Sequence, residues 1–359
     1  MERISQSQLL MFMVLSNYGA NAGFVISALT QTSGYAGWLG LILGWAISLL
    51  GLAGSLKIAS YRPDAFVTHF GKSLIGKWLH PIVMLLLFYY MMNVGASILR
   101  ELGDFLIHSY FINTPEWAIL TLFGAVCALA ARTGIESIFR CAEGFLFFIV
   151  IGLVLVPFML SKEYIWPIAG ALIRDWDLRQ LVQGTVGTPS YFQDSLFVMF
   201  LYPYLRDKKK TFRTMAAASA ISLVMVLTVL IPCYLTFGKH LTAQLTYPSL
   251  ELIRTVRLGD FLENIDPFVI ALWMASLFLK NSLLLFLSMS GFGQLLGLKN
   301  AKPLAFSFGA IMIAMSKHVG PSLIVVHAFI EVWPAFTYFF AMLLIFYLVP
   351  IWLKKKNAA

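Results

Sequence analysis

The chain has 359 residues, 59% of them hydrophobic and 12% charged, with a mean hydropathy of +0.81. Charged residues make up about a quarter of a typical soluble domain, so a soluble globular protein is excluded and a polytopic membrane protein is expected. The net charge of +9 comes from basic residues placed between apolar runs, where they set orientation in a bilayer, and no nucleic-acid partner is expected.

A helical span takes about 20 apolar residues. Ten segments qualify, at 9–31, 34–57, 78–107, 115–132, 137–160, 185–205, 211–237, 266–296, 303–316 and 332–353, the ninth being short. The first follows Met1-Glu2-Arg3-Ile4-Ser5 with no small-residue cleavage site, so it is expected to be retained and not removed as a signal peptide. Its centre is occupied by Asn17-Tyr18-Gly19-Ala20-Asn21-Ala22-Gly23. Each glycine weakens a helix by about 1 kcal/mol against alanine, and here the weakening falls where freed backbone groups find no water. The run therefore predicts a broken helix lining a polar cavity. Close packing through Gly19 and Gly23 is the alternative, but it leaves Asn17 and Asn21 unexplained.

Span three crosses the midplane near Tyr90 and carries Tyr89, Asn93 and Ser97 on one stripe. These are expected to close a pocket wall, or else to make interhelical hydrogen bonds. At its outer end Glu101 and Asp104 sit beside Arg100 and read as interfacial ion pairs, while Arg140 and Glu143 read as a cytoplasmic pair. Cys127, Cys141 and Cys233 lack CxxC spacing and read as small buried hydrophobes. The histidines show no metal-ligand spacing, no enzyme motif is present, and no cofactor is expected.

Span six begins Thr185-Val186-Gly187-Thr188-Pro189-Ser190-Tyr191-Phe192-Gln193-Asp194-Ser195 before an uninterrupted apolar run. If spans one to five recur upside down as six to ten, span six should be interrupted at the depth of span one, near Gln193 to Ser195. The chain then reads as a single transmembrane domain over 1–359, with repeats at 1–160 and 185–353. Outer connections at 161–184, 238–266 and 317–331 are expected to form a structured cap. Lys280 lies near the middle of span eight, where a lysine costs about 2.5–3.5 kcal/mol, so it is expected to face the interior and have a role. Asp194 can accept a ligand's ammonium, take up a proton, or pair with Lys280. Counting Lys and Arg in alternate connections gives 17 on the side of the N-terminus and 8 on the other, which predicts cytoplasmic termini.

Several longer strings carry a resemblance: Glu2-Arg3-Ile4-Ser5-Gln6-Ser7-Gln8-Leu9, Gly76-Lys77-Trp78-Leu79, Thr114-Pro115-Glu116 and Tyr202-Pro203-Tyr204-Leu205. The most specific is Tyr247-Pro248-Ser249-Leu250-Glu251-Leu252 with Gly259-Asp260-Phe261-Leu262-Glu263-Asn264-Ile265-Asp266, then Trp273 and Phe278-Leu279-Lys280. The whole chain resembles the spore-germination permease family, the B subunits of bacterial germinant receptors, within the amino acid-polyamine-organocation superfamily. It departs from the family pattern at Tyr35-Ala36-Gly37-Trp38, at Asn264, and at Gln193-Asp194, where a Gly-Glu pair is frequent.

The resemblance implies an all-α integral membrane protein, LeuT-like, with ten transmembrane helices in a 5+5 inverted repeat and helices one and six broken at the midplane. It implies a nutrient germinant as ligand, an amino acid above all, the A and C receptor subunits as partners, and the spore inner membrane as location. A proton-coupled amino acid transporter is the competing function. For an amino acid, the amides of an outer half-helix starting near Gly19, Ala20, Asn21 and Gly23 would suit the carboxylate, and the carbonyls ending the inner half near Leu15 to Tyr18 would suit the ammonium. Carbonyls near Gln193, Asp194 and Ser195 would suit the ammonium, with Tyr89, Asn93 and Trp273 completing the expected ligand-binding set. In sodium-coupled members of the superfamily a cation bridges spans one and eight, and Lys280 is expected to stand in for that ion.

Overall fold

A computed structural model of the chain describes residues 2–255, 266–319 and 323–358, with the backbone alone at 152–156, 266, 323–331 and 355–358. Among the described residues there is no β-strand, only a bridge between Ile4 and Leu205. The first half holds α1 (Gln6–Ser33), α2 (Gly37–Ala59), α3 (Leu79–Ser109), α4 (Glu116–Thr133) and α5 (Ile135–Met159). The short α6 (Pro167–Arg174) leads to α7 (Leu178–Gly187), which runs into a 3-10 segment, Thr188–Phe197. Then come α8 (Thr211–Gln244), α9 (Pro248–Arg254), α10 (Asp266–Leu295), α11 (Leu304–Val319), α12 (Leu323–Met342) and α13 (Ile345–Ala358). Six described stretches are long and apolar enough to cross a membrane, one of them, Gln6–Ala59, containing both α1 and α2. The chain is an integral membrane protein, and every expected span falls on helical backbone.

The expected break in span one is absent. A capping box starts α1, with Ser5 Oγ accepting from Gln8 N and Gln8 Oε1 accepting from Ser5 N. The helix then runs without interruption to Gly34, whose φ of 51° ends it in a conformation that glycine takes without strain. The sequence signal at Asn17–Gly23 has another cause, close approach of α10. A Cβ at Gly19 would overlap Ser276 Oγ, and one at Gly23 would overlap the Trp273 ring. The asparagines are used without a break: Asn17 Nδ2 donates back to Met13 O and Asn21 Nδ2 crosses to Tyr191 O, each at 2.9 Å. The proposed anion site on unpaired α1 amides is therefore corrected, because those amides are committed to the helix.

Span six is irregular, as expected. Phe192, inside Thr188–Phe197, has non-helical angles of φ −106° and ψ 26°. Freed backbone groups at this depth need partners, and α1 and α2 supply them. Ser55 Oγ donates to Leu196 O at 2.9 Å and accepts from Met199 N at 3.2 Å. Thr188 Oγ1 donates to Gly40 O at 2.7 Å, while Asn21 takes Tyr191 O. The C-terminal end of this span is held by the N-terminal residues, where Ile4 N donates to Tyr204 O at 2.9 Å and Arg206 N to Ile4 O at 3.0 Å.

α1 is the central helix, packed against α8, α10, α5, α7 and the 3-10 segment. The connections expected to form the cap carry α6, α7 and α9, while the run Gly259 to Ile265 lies outside the described residues. Two smaller expectations are corrected. Arg140 pairs with Glu136 at 2.6 Å, one turn back on α5, in place of Glu143. Cys141 is exposed, unlike Cys127 and Cys233.

Between α2 and α3, the hydrogen bond and charge of Lys208 hold the exposed Asp64 carboxyl below the usual carboxylate range, with Lys208 Nζ 2.5 Å away. A depressed pKa means that the pair's contribution is present above the ordinary carboxylate pKa and is lost as pH falls through the depressed value. Asp64→Asn is expected to move the melting temperature only slightly at neutral pH, as exposed pairs do. The difference from wild type should vanish in acid, as measured by thermal unfolding in detergent.

Candidate functional site

The charged centre is formed by three elements. Lys280 Nζ of α10 lies 2.9 Å from Asp194 Oδ1 of the 3-10 segment, and both side chains are buried. Ser16 Oγ of α1 donates to Asp194 Oδ2 at 2.5 Å, and Lys280 Nζ donates to Ser16 O at 3.4 Å. Of the roles open to Asp194, the structure shows the pairing with Lys280. The Lys280 contact to a span-one carbonyl forms on intact helix, since a carbonyl oxygen retains a lone pair beyond its helical bond.

Beside this pair is a cavity of about 60 Å³, bounded by α1, α3, the 3-10 segment and α12. Its polar lining is Asn21, Ser97, Glu101, Ser190, Gln193 and Lys280, with Phe24 and Trp333 among the apolar walls. Tyr90 braces it from behind. Its hydroxyl donates to Gln193 Oε1 and lies 3.0 Å from the Thr337 hydroxyl, and its ring stacks on Phe340 at 4.6 Å between centroids.

A second cavity of about 80 Å³ lies on another face of α1, lined mainly by apolar residues that include Tyr18, Gly23, Phe105 and Trp273. The Phe24 and Trp273 rings meet edge to face at 5.1 Å, one lining each cavity. Trp273 Nε1 donates to Gly19 O at 2.6 Å, fixing that indole on α1.

The expected site residues thus divide. Ala20, Asn21, Gln193 and Lys280 line the polar cavity, and Asp194 is paired just behind it. Tyr18, Gly23 and Trp273 line the apolar cavity, and Gly19 packs on Ser276. Ser195 is half-buried and lines neither cavity. Asn93 is buried outside both cavities, and Tyr89 is 50% exposed on the outer face of α3, so the tyrosine turned inward is Tyr90. Sequence reasoning placed Glu101 in an interfacial ion cluster, but Arg100 is taken by Asp104, at 3.1 Å, and by Glu116. The available signal was that Glu101 lies four residues after Ser97 and so on the same helix face. Ser16 gave no such signal. Among the described residues no group of His, Cys, Asp and Glu could hold a metal ion.

Residues 3–322 match the family described as spore germination protein. The chain is 28% identical to spore germination protein KB of Bacillus subtilis (strain 168), over 99% of this chain and 96% of that protein. It is 21% identical to spore germination protein XB of Bacillus anthracis over 74% of each. Among solved structures it resembles MhsT in complex with L-phenylalanine, with a TM-score of 0.63 and 17% identity over 96% of this chain and 88% of that one. It also resembles Mhp1, a nucleobase-cation-symport-1 family transporter with bromovinylhydantoin bound, at a TM-score of 0.53 and 14% identity over 92% of this chain and 74% of the other. The fold is that of LeuT-like transporters, and these likenesses point to a receptor or transporter, not an enzyme.

Proposed function

The chain belongs to the spore germination protein family, and from that premise we propose that it is a germinant receptor subunit. It binds a small nutrient, an L-amino acid, in the polar cavity beside the 3-10 segment and passes the resulting change to A and C subunits. The observation that carries this reading is the buried Lys280–Asp194 pair tied to α1 and opening on a cavity with further polar walls. Transmembrane ionisable residues are costly and mark ligand or ion pathways. Irregular backbone at the same depth gives the cavity a wall that can move against α1. Lys280, in contact with Ser16 O and Asp194, takes the place of a bound monovalent cation, so binding needs no sodium. The distribution of Lys and Arg supports cytoplasmic termini, and the family supports the spore inner membrane.

The test is a panel of the common L-amino acids on spores whose only receptor contains this chain. Germination by at least one amino acid, independent of sodium, is the expected result; response to none of them would overturn the reading. A second function, proton-coupled amino acid transport, is favoured by the fold shared with transporters. Accumulation of labelled amino acid by the purified chain in vesicles, driven by a proton gradient alone, would select it over the receptor.

A further inference from the structure

The polar cavity carries one acidic side chain whose charge nothing among the described residues around it neutralises. Glu101 lines the cavity from α3 and has no hydrogen bond or ion pair to any described residue. Neither nearby cation is free to serve it. Arg100 turns to Asp104 and Glu116, and Lys280 is bound to Asp194. A half-buried carboxylate that faces a cavity within the membrane without a partner is costly to keep charged, and a ligand that brings its own cation removes that cost.

Lys280 is the complementary group. An ammonium has three N–H donors; Lys280 gives one to Ser16 O and is ion-paired with Asp194. Donor capacity is left for an acceptor in the cavity that Lys280 also lines. The amides of α1, committed to its helix, cannot play that part.

We infer that Glu101 is the specificity-determining residue that binds the ligand's ammonium group, with Lys280 taking its carboxylate, and that the ligand is a small α-amino acid. This rests on the amino acid reading above. The volume, about 60 Å³, sets the size. At about 10–15 Å³ of such space per water, it accommodates a molecule on the scale of glycine or alanine.

The experiment compares wild-type and Glu101→Gln spores, using whichever L-amino acid germinates wild type and its 2-hydroxy acid counterpart, such as L-lactate for L-alanine. Glutamine keeps the size and an acceptor oxygen but removes the charge. The half-maximal concentration of the amino acid is expected to rise about 30-fold or more, the scale for losing one partner of a buried charge pair. The hydroxy acid, much weaker on wild type, should change by less than about threefold, so that the preference for the amine collapses. An unchanged amino acid response in Glu101→Gln spores with normal receptor levels would overturn the inference while leaving the amino acid reading intact. If the variant accumulates poorly, wild-type spores decide: a hydroxy acid as potent as its amino acid overturns the role of Glu101. No response to any amino acid removes both readings.

Discussion

Replacing Lys280 by methionine is expected to abolish germination through this receptor when no sodium is supplied and to lower the amount of assembled protein. Lys280 and Asp194 are both buried, and once the ammonium is gone Asp194 keeps only the Ser16 hydroxyl. Breaking a buried pair by removing one partner costs about 3–5 kcal/mol, against a total stability of about 5–15 kcal/mol for a typical domain. The double variant Lys280→Met with Asp194→Asn removes both charges and is expected to restore abundance, as judged by immunoblot of spore membranes, but not the response to germinant. That split separates a role in binding from a role in folding. Recovery of a normal dose curve in the double variant would reduce the pair to structural glue. The cation-substitute reading makes a sharper demand on Lys280→Met alone, whose residual response should appear only when sodium is supplied. A normal, sodium-independent dose curve would count against it.

Gly23→Leu is the second large effect, and it is expected to act on assembly before ligand binding. A Cβ at Gly23 would already overlap the Trp273 ring, and Trp273 is fixed by its bond to Gly19 O and by edge contact with Phe105 at 5.0 Å between centroids. Overpacking of this kind costs about 1–3 kcal/mol, and leucine adds further carbons in the same direction. Receptor levels should fall severalfold, and pairing the change with Trp273→Ala should return part of the protein by clearing the space. The opposite pattern, full protein levels with only a higher germinant requirement, would mean that Gly23 faces an open site and not a packed one.

Each of these variants tests a place where a residue's chemistry was legible and its partner was not. Lys280 is conspicuous because a lysine within an apolar run needs a reason, and its neighbourhood to Asp194 was one of a few possibilities that the low count of intramembrane charges allowed. Tyr89 and Tyr90 are adjacent and chemically identical, and only the rotation of α3 decides that Tyr90 reaches Gln193 while Tyr89 is left on the outer face. Glu101 was misassigned because Arg100, its neighbour in sequence, points elsewhere on the helix. Residues one apart on a helix do not face each other.

The sequence by itself determined the class of protein, the positions of the spans, the irregular sixth span and the family, since these depend on composition, on runs of about 20 apolar residues and on strings read along one chain. It also marked Asn17–Gly23 as exceptional. What the exception was for, only the tertiary structure decided. Glycine pairs serve equally to break a helix or to let another helix approach, and the choice depends on whether Ser276 and Trp273 arrive from α10 to fill the space. The asparagines likewise satisfy themselves through Met13 O and Tyr191 O only because the 3-10 segment lies alongside. Local propensity weakens a helix by a kilocalorie or so at each such residue, and packing with hydrogen bonds across to neighbouring helices is large enough to keep it whole.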